Sequence, residues 1–154
     1  MKVEIYTDGA ARGNPGPGGY GIVMMSEAGH RREISEGFRL TTNNRMELLS
    51  VIVALESLKR PESTDVVVFS DSKYVVDAIE KAWVNKWERT GFKNKKNPDL
   101  WRRYLDLQKP RSLQFKWVKG HDGNVHNERC DRLAVEASKK ESLLVDAEYE
   151  RLNA

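Results

Sequence analysis

Val3-Glu4-Ile5-Tyr6-Thr7-Asp8-Gly9 reads as an opening strand that ends on a carboxylate and breaks at glycine. Successive strand residues point to opposite sides, so Val3, Ile5 and Thr7 share one face and Glu4, Tyr6 and Asp8 the other. A glycine-rich run, Gly13-Asn14-Pro15-Gly16-Pro17-Gly18-Gly19-Tyr20-Gly21, follows at once. Asp8 is thereby placed at the tip of a rigid strand beside a tight turn. On these residues alone the plainer reading is an Asp that caps a turn. The rest of the chain tips the balance towards chemistry.

Beyond the turn, Tyr20 to Met25 predicts a second strand, Ala28-Gly29 a hairpin turn, and Glu33 to Phe38 a third, antiparallel strand. The glycine-rich loop lacks the Gly-Lys-Ser/Thr ending of a P-loop, which argues against a nucleotide pocket of that kind. Thr41-Thr42-Asn43-Asn44-Arg45-Met46-Glu47 predicts a helix start, with good N-caps and an acid where the helix dipole favours one. Glu47 falls at the edge of the apolar side of that helix, where a charge is costly without a partner. Asp65 to Asp71 is a continuous apolar run closing on a second Asp, as a strand buried on both faces would be. Two strands that each finish on Asp, joined through a helix, fit a βαβ arrangement, whose ligands sit outside the carboxyl ends of the strands. A further helix is predicted over 98–108, a last strand over 113–119, and a final helix from Asn127 to about Lys140. Asn127 and Asp131 lie one turn apart on that helix. Lys119-Gly120-His121-Asp122-Gly123 reads as a glycine-flanked loop, His30 and His126 as surface residues, and 141–154 as a polar, loosely held tail.

At 154 residues the chain suits one domain, and 39% hydrophobic with 32% charged residues fits a globular protein. No apolar run approaches the roughly 20 residues of a membrane helix, and no signal-peptide pattern opens the chain. Cys130 is the only cysteine, which rules out an intrachain disulfide and a cysteine-built zinc site. These features predict a cytoplasmic protein without membrane attachment, read as a monomer. The net charge is +3, but Lys81 to Arg103 holds eight basic residues against Glu88 and Asp99, so the remainder is near −3. A basic block on an acidic body predicts a polyanion partner, the alternative being a merely solvated face. Trp83, Trp87 and Phe92 are interleaved with these lysines. Trp83 and Trp87 share a helix face and read as an exposed nucleic-acid handle rather than core.

If Asp8, Glu47, Asp71 and Asp131 converge, each like-charged contact at about 4 Å costs roughly 4 kcal/mol at an effective dielectric near 20. Some of them would then hold protons unless a cation neutralised them. Oxygen ligands without cysteine favour Mg²⁺, with Mn²⁺ possible in its place, over zinc. Two ions about 3.5–4 Å apart would balance the four acids and serve both sides of a reacting phosphate. Spacing alone leaves ordinary surface acids as the competing explanation.

Tyr6-Thr7-Asp8-Gly9, the run Gly13 to Gly21, Thr41 to Leu48, Ser70-Asp71-Ser72, and Val118 to His121 with Asn127 to Asp131 together resemble bacterial ribonuclease HI, in order and along nearly the whole chain. The resemblance implies an α/β fold with a mixed five-stranded sheet flanked by helices. It implies an endoribonuclease that hydrolyses the RNA strand of RNA–DNA hybrids, leaving 5′-phosphate and 3′-hydroxyl ends. Asp8, Glu47, Asp71 and Asp131 would be the metal-binding, catalytic carboxylates, and His121 would assist proton transfer or product release. Asn14, Asn43 and Asn44 would contact the minor groove of the hybrid, where 2′-hydroxyls mark RNA. Thr42 and Asn97 resemble part of a pocket for a DNA-strand phosphate, Asn127 a further substrate contact, and 81–98, with Trp83 and Trp87, the family's basic protrusion. There are three departures. Lys73 stands where many members carry Gln, and remains a candidate phosphate contact. Leu40 stands where Arg is frequent, leaving Arg39 as a substitute. The segment between Phe92 and Trp101 is shorter than in enterobacterial members. A hybrid-binding module without catalysis, or a strand-transfer enzyme of the wider integrase-like superfamily, are the alternatives. The first gains nothing from clustered acids, and the second needs further assembly domains.

Overall fold

The computed structural model describes residues 1–60, 63–120 and 123–153. Strands β1 (Lys2–Ala11), β2 (Gly16–Ser26) and β3 (Arg31–Thr41) are followed by helix α1 (Asn43–Glu56) and strand β4 (Asp65–Ser70). Helices α2 (Lys73–Glu80), α3 (Trp83–Arg89) and α4 (Pro98–Gln108), strand β5 (Ser112–Trp117), and helices α5 (Val125–Ser138) and α6 (Ala147–Leu152) complete the chain. The sheet is mixed and five-stranded, in the order β3-β2-β1-β4-β5. β1 runs antiparallel to β2 and parallel to β4, and β4 runs parallel to β5.

The period-two pattern of β1 divides the core as the side-chain alternation demands. Val3 and Ile5 join the main core beneath the α1 side, with Met46, Ile52, Leu55, Val68 and Trp101. Tyr6 faces the other way, into a smaller cluster with Val23, Cys130 and Leu133 under α5. Trp101 and Tyr104 on α4 are almost fully buried and meet edge to face, which ties α4 to the main core. Among the described residues no helix is long and apolar enough to cross a membrane.

Several expectations are corrected. β1 does not break at Gly9: it continues to Ala11 in register with β2, while its parallel pairing with β4 stops at Thr7 opposite Ser70. Asp8 thus lies where β4 leaves β1, rather than at the strand's own end. The glycine-rich run is mostly strand, not turn, because β2 begins at Gly16. Its glycines serve close approach: a Cβ on Gly21 would stand 2.3 Å from the Cys130 carbonyl oxygen of α5, and one on Gly19 2.5 Å from that of Ala134.

The stretch after 140 is not loose. Leu144 bridges to Phe38, Arg39 grips Glu150 at 2.8–3.2 Å, and Asp146 is buried against Arg45. Arg39 is therefore engaged by α6, and it is not among the residues that line the cleft around Thr42 and Asn97. His126 is not a surface residue: it is half-buried, its ring 4.9 Å from that of Tyr6, with Nδ1 buried and unpartnered among the described residues. His30 is exposed, as expected.

Candidate active site

Three carboxylates from three elements meet where β1 and β4 part. Asp8 comes from β1, Glu47 from the second turn of α1, and Asp71 from the residue after β4. One oxygen of each lies within 4.8 Å of the others. The helix reaches the strand this closely because position 9 has no side chain: a Cβ there would stand 2.4 Å from the Glu47 nitrogen. Thr42 caps α1 by accepting a hydrogen bond from the Arg45 amide at 3.2 Å, and so fixes the phase of the helix that carries Glu47. Ser72 caps α2 in the same way and holds the turn behind Asp71. Asp131 on α5 lines the same cleft, of about 450 Å³, together with Lys73 and Asn44.

Electrostatically the cluster is unbalanced. Asp8 and Glu47 are 6% and 8% exposed. Burial, reinforced by the charge of Asp71, pushes Asp8 up to about 7, although hydrogen bonds from Glu47 and the Gly9 amide pull the other way. Burial, then the charge of Asp8, raises Glu47 well above the usual carboxylate range. Glu47 Oε2 is buried without a hydrogen-bond partner among the described residues. An all-oxygen donor set with an orphaned buried oxygen and excess negative charge fits a hard divalent cation.

The expected substrate residues fall into two further grooves. Asn14, Thr42, Asn44 and Asn97 line a cleft of about 520 Å³ with Lys95 and Lys96. Trp83, Trp87, Asn44 and Asn97 line an adjoining groove of about 290 Å³. Asn44 borders all three depressions, so they open onto one another around the start of α1. Asn43 is exposed beside them: its side chain accepts from the Ala11 amide, and its own amide donates to Asn14 Oδ1 at 3.0 Å.

Lys81 and Lys95 lie over the rings of Trp83 and Trp87 at 5.1 and 5.2 Å. The handle is less exposed than expected. Trp83 is 39% exposed, but Trp87 packs edge-on against Trp101 and Phe92 is core. Asn127 is buried one turn before Asp131, so it is no surface contact. His121 lies outside the described residues.

One part of the site gave no signal that sequence reasoning used. Arg45, 3% exposed, donates to Asp99 at 2.7 and 2.9 Å, to Asp146 at 2.7 and 2.9 Å, and to Asn97 Oδ1 at 3.3 Å. Burial opposes its charge, but the two carboxylates more than offset this and hold the guanidinium protonated. Arg45 thus supports Asn97 from behind and ties the cleft that Asn97 lines to the C-terminal segment.

A mixed sheet bearing acids at the point where two parallel strands diverge, beside a basic, aromatic-lined groove, defines a carboxylate-centred α/β nuclease. Residues 1–139 match the RNase H family, and the chain belongs to it. It is 53% identical to the ribonuclease H of Trichodesmium erythraeum over 97% of this chain and 96% of that one. It is 56% identical to that of Desulforamulus reducens over 94% and 92%. Among solved structures it is similar to LC9-RNase H1, described as a type 1 RNase H with the type 2 active-site motif, with a TM-score of 0.80, 33% identity, and 99% of this chain and 81% of that chain covered. It is also similar to LC11-RNase H1, solved in complex with an RNA/DNA hybrid, with a TM-score of 0.67, 31% identity, and coverage of 88% and 95%.

Proposed function

We propose that this chain is a single ribonuclease H domain over 1–154, with a basic arm at about 81–98, that hydrolyses the RNA strand of RNA–DNA hybrids and leaves 5′-phosphate and 3′-hydroxyl ends. The observation that carries the reading is the acidic cluster, whose three closest oxygens lie within 4.8 Å and whose buried Glu47 Oε2 is unpaired among the described residues. Asp8, Glu47, Asp71 and Asp131 would hold two Mg²⁺ ions, or Mn²⁺ in their place. Such ions supply charge neutralisation and a Lewis acid on each side of the scissile phosphate.

The chain's own residues do the remainder. Buried Glu47 and Asp8 fix the donor geometry from β1 and α1. Asn14, Asn43 and Asn44 present amides to the minor groove, where they read 2′-hydroxyls. Thr42 and Asn97, backed by Arg45, receive a DNA-strand phosphate, and Lys95 and Lys96 flank it. Trp83 and Trp87 with their lysines carry the DNA strand, Lys73 meets a backbone phosphate beside the acids, and His121 assists proton transfer or product release. The setting we propose is cytoplasmic and monomeric, in keeping with a lone, buried, unpaired Cys130.

The test is a cleavage assay on labelled hybrid, duplex RNA and duplex DNA, each with and without Mg²⁺. The expected outcome is Mg²⁺-dependent cutting of the hybrid's RNA strand alone. Asp8→Asn should abolish turnover with the fold intact, and full turnover in that variant would remove Asp8 from the chemistry. Indifference to Mg²⁺ would sink the assignment.

A further inference from the structure

Trp117 closes β5, opposite Ser70 in the parallel register, is 44% exposed, and touches Asp71 and Lys73, two residues that line the acidic cleft. An exposed tryptophan on a sheet edge is ordinarily free to rotate, but this one is pinned on two sides. Its indole Nε1 donates to the main-chain carbonyl of Asp71 at 3.0 Å. The ammonium of Lys73 stands over its ring, 4.9 Å from the centroid. The chain beyond it closes on the same residue: Val118 donates its amide to the Ser70 carbonyl at 2.9 Å, and a Cβ on Gly120 would lie 2.8 Å from Asp71 Oδ2. Asp71 is the one of the three close carboxylates that lies just beyond a strand, and its main-chain carbonyl is the acceptor for the indole. Lys73 is exposed and lines the same cleft as the four acids, yet its ammonium lies over the Trp117 ring.

We propose that Trp117 is a positioning residue for two groups of the site: its N–H fixes the backbone that aims Asp71, and its ring holds the Lys73 ammonium at the rim. This rests on the functional reading above, since Lys73 is useful at the rim only if a phosphate is to be met there. It also accounts for a lysine at position 73: an amide there has no comparable attraction to the ring face, whereas a cation does. A lysine held on the ring leaves the acids to bind a cation and presents its own charge to the backbone of the incoming strand.

The test uses the full chain, two readouts and three variants. Cation binding is followed as the rise in melting temperature with added MgCl₂, without nucleic acid. Hybrid binding is followed by anisotropy in EDTA over a range of KCl. Trp117→Phe keeps a ring for Lys73 but loses the N–H. It should weaken Mg²⁺ binding about fivefold, the effect of one net hydrogen bond, and leave the salt dependence of hybrid binding as in the parent. Lys73→Gln should do the reverse, leaving Mg²⁺ affinity equal or higher and lowering the salt slope by about 0.9, the effect of one phosphate. Trp117→Leu should show both changes, and adding Lys73→Gln to it should not lower the slope further.

A purely structural tryptophan would lower the melting temperature of each Trp117 variant while leaving Mg²⁺ affinity and salt slope unchanged, and that result would overturn the proposal. A parent chain that fails to bind hybrid would overturn the functional reading instead. The Mg²⁺ arm of Trp117→Phe would still decide whether the indole aims Asp71.

Discussion

At the scale of single residues, Asp8 and Glu47 are held in a protonation state that the fold makes costly to leave. Both bind protons more tightly folded than unfolded: Asp8 sits at about 7 against its ordinary 3.8, chiefly through burial, and Glu47 is raised in the same direction. Between those values the native state carries more protons than the unfolded chain, so metal-free stability falls as pH rises through that window. Asp99, Glu33 and Glu150 are shifted downward by their arginine partners, apart from a burial effect that opposes the shift, so their contribution is lost only in stronger acid. In EDTA the melting temperature should therefore be higher at about pH 5.5 than at about pH 8, and MgCl₂ should remove most of the difference. Asp8→Asn should stabilise the metal-free protein by about 1–3 kcal/mol near pH 8, measured by denaturant unfolding.

Asp8, Glu47 and Asp71 stood out in the sequence as acids closing two apolar strands and edging an apolar helix face, and it was the resemblance that joined them into one set. Arg45 did not stand out. An arginine in the first turn of a helix reads as a solvated cation, and its partners lie 54 and 101 residues away.

At the scale of elements, α6 is where the sequence misleads. It spans six residues, Ala147, Tyr149 and Leu152 among charged ones, and buries none of them fully, so no hydrophobic pattern announces it. It stays in place through charge, with Asp146 under Arg45 and Glu150 on Arg39. The two pairs are unequal. Arg39–Glu150 is exposed to water and contributes little, whereas Arg45–Asp146 is buried, and losing Asp146 would leave the buried guanidinium with Asp99 alone of its two carboxylates. Asp146→Asn should thus lower stability by roughly 2–4 kcal/mol in denaturant unfolding, while a change at Glu150 stays within about 1 kcal/mol. The same variant should raise KM for hybrid more than it lowers kcat, because Asn97 loses its backing while the acids keep theirs. Helix α1 was readable from its cap and apolar spacing, and the span of α4 was readable too. The start of β2 was hidden because glycine signals a turn and a close approach alike, and only the arrival of α5 distinguishes them.

At the scale of the whole molecule, charge is divided between an acidic centre and a basic arm. Salt should act on the arm far more than on the centre, since binding phosphates releases counterions while buried acids are poorly screened. Replacing Lys93, Lys95 and Lys96 with glutamine should weaken hybrid binding and flatten its dependence on KCl, by up to about 0.9 in slope for each phosphate that is no longer neutralised. An unaltered slope would mean the arm does not touch phosphate. The uneven charge and the aromatics within it made this division visible in the sequence, but burial of Phe92 and Trp87 was hidden, because interleaved aromatics look alike whether they meet a base or a core.

The glycines under α5 act as a shim of zero thickness: they set the height at which that helix rides, and Asp131 rides with it. A single methyl at position 21, within 2.3 Å of the Cys130 carbonyl, would lift the helix and carry its acid out of reach. The other three acids would stay where they are. The fourth carboxylate proposed for the site can thus be detuned from within the sheet, by a residue with no chemistry of its own.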